Sequence, residues 1–275
     1  MPLPDYTNPP VVETVLGVQF DRLPGFTNAH LGSFWATLDL AEWPTTADAQ
    51  PLPPQFERFS EAAKWARGVQ LQIMPIQLGR MQIKNRAGDR LIQVQNGRLH
   101  FNWLRGKGED YPRYEAVRTG FVELLDKFAD FAAKSNVGPF QPNQWEVTYI
   151  NQIPQGTIWN SPADWTFFEP LRGVPSIDGV IEREDFTGEW HFVIPGQRGR
   201  LHIEWRHALA AAQNRPEQEI VQLTLTARGP LEPKSSKREQ VLEALDLGRD
   251  TIVRSFAGLM SREANAQWGL RNAEH

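Results

Sequence analysis

Between residues 11 and 20 the apolar side chains Val12, Leu16, Val18 and Phe20 alternate with Glu13 and Gln19, the two-residue period of a strand that buries one face. The spacing then lengthens. Over residues 27–40, Leu31, Phe34, Trp35 and Leu38 share one helical side behind a capping Thr27 or Asn28. Residues 44–55 hold Pro44, Pro51, Pro53 and Pro54 and little that can pack, which predicts an excursion over the surface. Alternation returns over residues 65–74, 80–85, 90–95 and 98–104, predicting four strands. The last two flank Asn96-Gly97, the dipeptide suited to the two positive φ angles of a type I′ hairpin turn. Tyr114, Val117, Phe121, Leu124 and Phe128 then mark one stripe of an amphipathic helix over residues 113–134.

The second half repeats this order. Trp145, Val147 and Tyr149 begin a strand that runs to Gln152, and residues 161–171 suggest a short helix limited by Pro170. Four strands are expected over residues 177–186, 189–194, 200–209 and 219–228, the middle pair turning at Pro195-Gly196. Ser236 with Glu239 forms a capping box ahead of a long helix whose inner face carries Val241, Leu245, Ile252, Phe256 and Leu259. The order strand, helix, four strands, helix therefore occurs twice, over residues 1–138 and 139–275. It predicts an α+β fold: an internal duplication that builds one continuous, curved antiparallel sheet with helices on one face. A short echo, Gly97-Arg98-Leu99-His100 beside Gly199-Arg200-Leu201-His202, joins the fifth strand of one half to the fourth of the other, so the duplication rests on element order.

Composition narrows the function classes. There is no cysteine, which excludes disulfides, thiolate metal sites and cysteine nucleophiles. A net charge of -4 without any Lys/Arg block argues against duplex nucleic acid, whose binders neutralise phosphates. No apolar run approaches a membrane span, and the first residues lack a basic and apolar leader, so a cytoplasmic protein is expected. Gly-x-Ser-x-Gly, Gly-x-x-x-x-Gly-Lys and His-Glu-x-x-His are all missing, and no cofactor is implied. The ten tryptophans stand out. By strand and helix phase Trp35, Trp103, Trp145, Trp190 and Trp205 belong to the core, leaving Trp43, Trp159 and Trp268 for a binding surface.

Three clusters carry candidate chemistry. The strand positions that turn away from the helices include Gln19, Gln70, Gln72, Gln82, Gln93, Gln95, His100 and Asn102, with Thr148, Gln152, Gln222, Thr224 and Thr226 from the second half. Amides and hydroxyls both donate and accept, so this face either reads an uncharged polar surface or is simply solvated. His191, His202 and Glu204 share a strand face and offer either three metal ligands or acid/base groups, against ordinary cross-strand hydrogen bonding. Arg105, Lys107 and Arg113 surround Trp103, Tyr111 and Tyr114 at a helix start, where they can hold an anion. The structural alternative is that the tyrosines staple the helix to the sheet while Arg113 forms an ion pair with a partly buried Glu13.

The segments Asn8-Pro9-Pro10-Val11-Val12-Glu13, Phe101-Asn102-Trp103 and Tyr111-Pro112-Arg113-Tyr114-Glu115 resemble those of a sporadically distributed, functionally uncharacterised family of prokaryotic proteins of about this length. The resemblance implies no catalytic residues, and the patchy distribution points towards mobile or defence-related genes. A non-enzymatic binding or protein-interaction module is expected, with a protein partner or a homodimer and with Arg105, Tyr111, Arg113, Gln93, Gln95 and Asn102 at the ligand. The alternative is a metal-dependent or acid/base enzyme using His191, His202 and Glu204.

Overall fold

Nine strands drawn from both halves of the chain pair into one antiparallel sheet. A computed structural model of the protein describes residues 2–59, 79–106, 111–173, 184–210, 217–232 and 238–271. In chain order, β1 (Asp5–Tyr6) is followed by β2 (Val11–Phe20), β3 (Thr45–Ala49), β4 (Arg80–Lys84), β5 (Arg90–Gln95), β6 (Arg98–Leu104), β7 (Pro142–Pro154), β8 (Thr187–Ile194), β9 (Gly199–Ala210), β10 (Gln218–Pro230) and β11 (Leu270–Arg271). The helices are α1 (Asn28–Trp35), α2 (Tyr114–Lys134), α3 (Arg238–Leu259) and α4 (Arg262–Gln267). Strands β1 and β11 form a separate pair, and the large sheet runs β3-β4-β5-β6-β2-β7-β10-β9-β8.

That order places the first long strand of each half at the centre, β2 against β7, and the last strand of each half beside it. Helix α2 packs on β2 and β6, and α3 on β7 and β10, so both long helices cover one face. The apolar stripes read from the sequence are buried: Val117, Phe121, Leu124 and Phe128 on α2, and Val241, Leu245, Ile252 and Phe256 on α3. The echo at residues 97–100 and 199–202 falls on β6 and β9, which hold non-equivalent places in the sheet.

Several local expectations are corrected. Within the expected surface excursion, residues 45–49 form the exposed edge strand β3, paired with β4. Residues 161–171 do not form an α-helix: Pro170 leaves only the single 3-10 turn Glu169–Leu171. At the β5–β6 hairpin only Gly97 takes a positive φ, 107°, and so the turn is not type I′. The Asn96 side chain instead exchanges hydrogen bonds with the main chain of Leu23. A register shift between Val11 and Glu13 leaves Val12 half-buried and turns Val11 into the core on the helix side. The long C-terminal helix breaks at Ser261, whose hydroxyl accepts from the Ala264 amide to cap α4. The expected strand over residues 65–74 with Gln70 and Gln72, residues 177–183 of another, Lys107 and Ser236 lie outside the described residues. No helix among the described residues is long and apolar enough to cross a membrane.

The tryptophans are mostly structural. Trp103, Trp145, Trp159, Trp165, Trp205 and Trp268 are buried, and Trp35, Trp43 and Trp190 pack against the same core. Trp159 and Trp268 are thereby withdrawn from the expected binding surface, because the segment after β7 folds back so that the Trp159 indole donates to the Ile153 carbonyl, and the end of α4 sets Trp268 against Phe256 of α3. Trp145 occupies a space cleared by glycines. A Cβ on Gly199, Gly229 or Gly248 would stand 2.7, 2.7 and 2.6 Å respectively from its indole.

Candidate functional sites on the two sides of the sheet

Side chains singled out in the sequence divide between the two faces. On the helix side the N-terminal arm, the start of α2 and the middle of α3 enclose a cavity of about 330 Å³, within the range of small-molecule sites. Tyr111, Tyr114, Tyr149, Arg113 and Arg249 line it, and Ile252, Val253 and Phe256 form an apolar wall. The Tyr111 and Tyr149 hydroxyls are 3.0 Å apart. Tyr114 donates to Asp246 at 2.8 Å, and Arg118 grips both oxygens of that carboxylate, so α2 and α3 are tied together beside the cavity. The Arg249 guanidinium lies 5.4 Å from the Tyr114 ring centre, and its buried Nε has no hydrogen-bond partner among the described residues. Burial raises the pKa of all three phenols, which stay neutral donors beside a permanent cation.

Arg113 is the residue that departs furthest from expectation. The Glu13–Arg113 ion pair does not form, because Glu13 sits on the sheet face opposite α2 and the sheet itself lies between them. Glu13 accepts a hydrogen bond from Asn102, and its carboxyl is raised by burial and only partly lowered by that bond. Arg113 instead donates to Asp5 Oδ1 at 2.7 Å and to the Tyr6 carbonyl at 2.8 Å. Arg105 donates to the Pro9 carbonyl at 2.8 Å and so holds the arm without lining the cavity. Segments 8–13 and 111–115 thus meet at the cavity, and Trp103 of segment 101–103 packs behind it against Tyr111, 5.1 Å between ring centres.

Arg113 also holds φ 72° and ψ 158°, a conformation that glycine tolerates and other residues enter at a cost of about 1–3 kcal/mol. Arg113→Ala keeps that strain and loses both hydrogen bonds, whereas Arg113→Gly loses the bonds but relieves the strain. Urea unfolding should find the glycine variant more stable than the alanine variant by at least about 1 kcal/mol. Equal stabilities would show that the backbone there is unstrained.

The other face is polar, as the alternation requires: Gln19, Gln95, Arg98, His100 and Asn102 share it with Gln144, Glu146, Thr148 and Arg228. Its centre is not solvated, however, and these residues are buried or nearly so. Residues 51–59, which we call the strap, lie across it. Gln95 accepts from the Leu52 amide and donates to the Leu52 carbonyl, both at 2.8 Å. Gln19 does the same for Gln55, at 2.8 and 2.6 Å. Arg98 donates to the Pro53 carbonyl at 3.2 Å, and Gln144 accepts from the Glu57 amide at 3.2 Å. Gln93 and Asn102, also expected at a ligand, bond to each other at 3.1 Å beside the strap.

Glu57 anchors the strap. Its carboxylate receives Arg200, both Nε and Nη2 of Arg228 at 3.0 and 2.9 Å, and His202 Nε2 at 2.7 Å. Burial alone would raise its pKa, but His202 and Arg228 outweigh that and hold it down at about 2. His202 Nδ1 meets His191 Nδ1 at 2.8 Å. Since the carboxylate can only accept, His202 carries a proton on Nε2, and one further proton bridges the two Nδ1 atoms. Burial, with His202 beside it, lowers the His191 pKa.

The metal reading of His191, His202 and Glu204 is not met. The β8–β9 register sets His191 opposite His202 and Glu204 opposite Glu189, so the imidazoles face each other and Glu204 belongs to the next pair. Among the described residues no group of three His, Asp or Glu side chains is arranged to hold a metal ion. Tyr149, Arg249 and Glu57 were not anticipated as site residues. Tyr149 and Arg249 follow the ordinary periods of a strand and a helix, and Glu57 lies in a segment with no period at all. Comparison with protein-family models, curated proteins and solved structures finds no match to this chain.

Proposed function

We propose that this protein is a non-enzymatic binding protein whose cavity between α2, α3 and the N-terminal arm takes a small organic molecule bearing a carboxylate. The observation that carries this reading is the meeting, in one half-open cavity, of the Arg113 and Arg249 guanidinium groups with the Tyr111–Tyr149 hydroxyl pair and an apolar wall. Arg249, whose Nη1 also reaches Asp250 at 3.3 Å, supplies positive charge, and whichever of the paired Tyr111 and Tyr149 hydroxyls does not donate to the other can turn to a carboxylate oxygen. Ile252, Val253 and Phe256 match an apolar or aromatic body. The strained backbone at Arg113 is consistent with a position held for binding and not for stability. Of the three segments that carry the resemblance noted in the sequence, the first and third line this cavity.

Thermal unfolding in the presence of a panel of aryl and alkyl carboxylates tests the reading. A binder at a hundred times its Kd should stabilise the fold by about 2.7 kcal/mol. Arg249→Met keeps much of the side-chain bulk but removes the charge, and it should abolish that stabilisation. If no carboxylate raises the melting temperature, or if Arg249→Met leaves the increase intact, the cavity does not serve this purpose.

A further inference from the structure

The strap is held unlike any other part of the sheet. Its main chain is gripped at Leu52, Pro53, Gln55, Glu57 and Arg58 entirely by side chains of the strands beneath it. Among the described residues no hydrogen bond joins its main chain to another main chain. Pro51, Pro53 and Pro54 have no N–H to offer to a strand partner, so an amide-bearing surface is needed to read such a segment.

The spacing of the contacts has a geometric basis. An extended proline-rich chain rises about 3.1 Å per residue, so three residues cover about 9.3 Å. Neighbouring strands lie about 4.8 Å apart, so two steps across the sheet cover about 9.6 Å. Gln95 on β5 and Gln19 on β2 are two strands apart and read residues 52 and 55, three apart. The match depends on the extended backbone and on the sheet, and not on the side chains of Leu52 or Gln55.

The end of the track selects charge. With the strap removed, Arg98, Arg200, Arg228 and His202 would share that part of the face with the carboxylate of Glu146. An occupant must therefore bring an acid, as Glu57 now does. We infer that the face opposite the helices is a peptide-reading surface, occupied in this chain by its own residues 51–59. The partner it fits is an extended, proline-containing segment of another protein with a glutamate five residues after its first paired contact. In this reading the strap is the tethered competitor that such a segment displaces, and its high effective concentration keeps the face closed to weak ligands.

The probe is a fluorescent peptide with the sequence of residues 51–59, added to the full-length chain. Glu57→Ala removes the strap's anchor and leaves the cationic end without its acid. The peptide should bind the Glu57→Ala chain at least tenfold more tightly than the unsubstituted chain, and a peptide with glutamine at the Glu57 position should bind at least tenfold more weakly. Should the Glu57→Ala chain fail to fold, hydrogen exchange on the unsubstituted chain gives the readout. Excess peptide should then speed exchange of the Leu52, Gln55 and Glu57 amides while those of β2 and β7 stay unchanged. Equal binding of the two peptides overturns the proposal, as does strap exchange that proceeds only with global unfolding whatever the peptide concentration. A concentration-dependent dimer of the unsubstituted chain that the peptide dissolves would assign the face to a second copy and overturn the choice of a separate partner.

Discussion

Trp145→Ala should cost about 4 kcal/mol of unfolding free energy, at the upper end of large-to-small core substitutions. The indole projects from β7, is 1 % exposed, and is wedged between the ends of β9 and β10 and α3. Its removal would leave a cavity that three glycines cannot fill. The same geometry reverses an ordinary rule. Gly→Ala inside a helix usually stabilises by up to about 1 kcal/mol, yet at Gly248 the added methyl would stand 2.6 Å from Trp145 Cζ3 and overpack the core by about 1–3 kcal/mol. Gly248→Ala should therefore destabilise the unsubstituted protein and cost less once Trp145 is alanine, when only Val147 Cγ2 at 2.9 Å still has to give way. A urea double-mutant cycle measures that coupling, and strictly additive effects would show that the two sites do not share space.

Acidification should produce the second large loss, through His100. The ring is 4 % exposed, and burial, with smaller repulsion from Arg98 and Arg80, outweighs the attraction of Glu146 and pushes its pKa down to about 4. In the unfolded chain the same imidazole titrates near 6.5. Between those values the unfolded state binds more protons than the folded one, so stability falls as the pH drops from about 6.5 to about 4 and is level above that window. At roughly 1.4 kcal/mol per pH unit the interval is worth about 3 kcal/mol. His100→Asn should flatten that stretch of the stability curve, measured by urea unfolding across the pH range. An unchanged slope would assign the acid sensitivity to another group. Glu57 acts in a separate, lower window: its depressed pKa contributes stability that is complete above the usual carboxylate value of about 4.5 and is lost as the pH falls through about 2.

The two sites differ in how much of them could be read from the chain. Tyr111 and Arg113 were identifiable because cations and aromatics crowd a helix start, a local pattern. Arg249 was not, because on α3 it is one of several polar residues beside an apolar stripe, and only the approach of α2 makes it a cavity wall. The amides of the polar face were identifiable by strand phase. Their occupant was not, since residues 51–59 combine prolines with polar groups and resemble any surface loop. The expected Glu13–Arg113 pair failed for a related reason: opposite charges at a plausible distance along the chain carry no information about which side of a sheet each will face.

By itself the sequence determined the central strands and the two long helices, the side most of those strand residues turn to the helices, and hence a sheet with one apolar and one amide-rich face. These follow from periods of 2 and 3.6 residues, which act over a few neighbours and survive without knowledge of the rest of the chain. Only the tertiary structure decided what meets across those faces. Glu57 and Arg228 lie 171 residues apart, and Tyr114 and Asp246 lie 132 apart. A carboxylate's preference for a guanidinium or a phenol is the same for every candidate in the chain. Which pair forms is settled when strand order, register and helix packing bring two particular side chains within about 3 Å and bury them together.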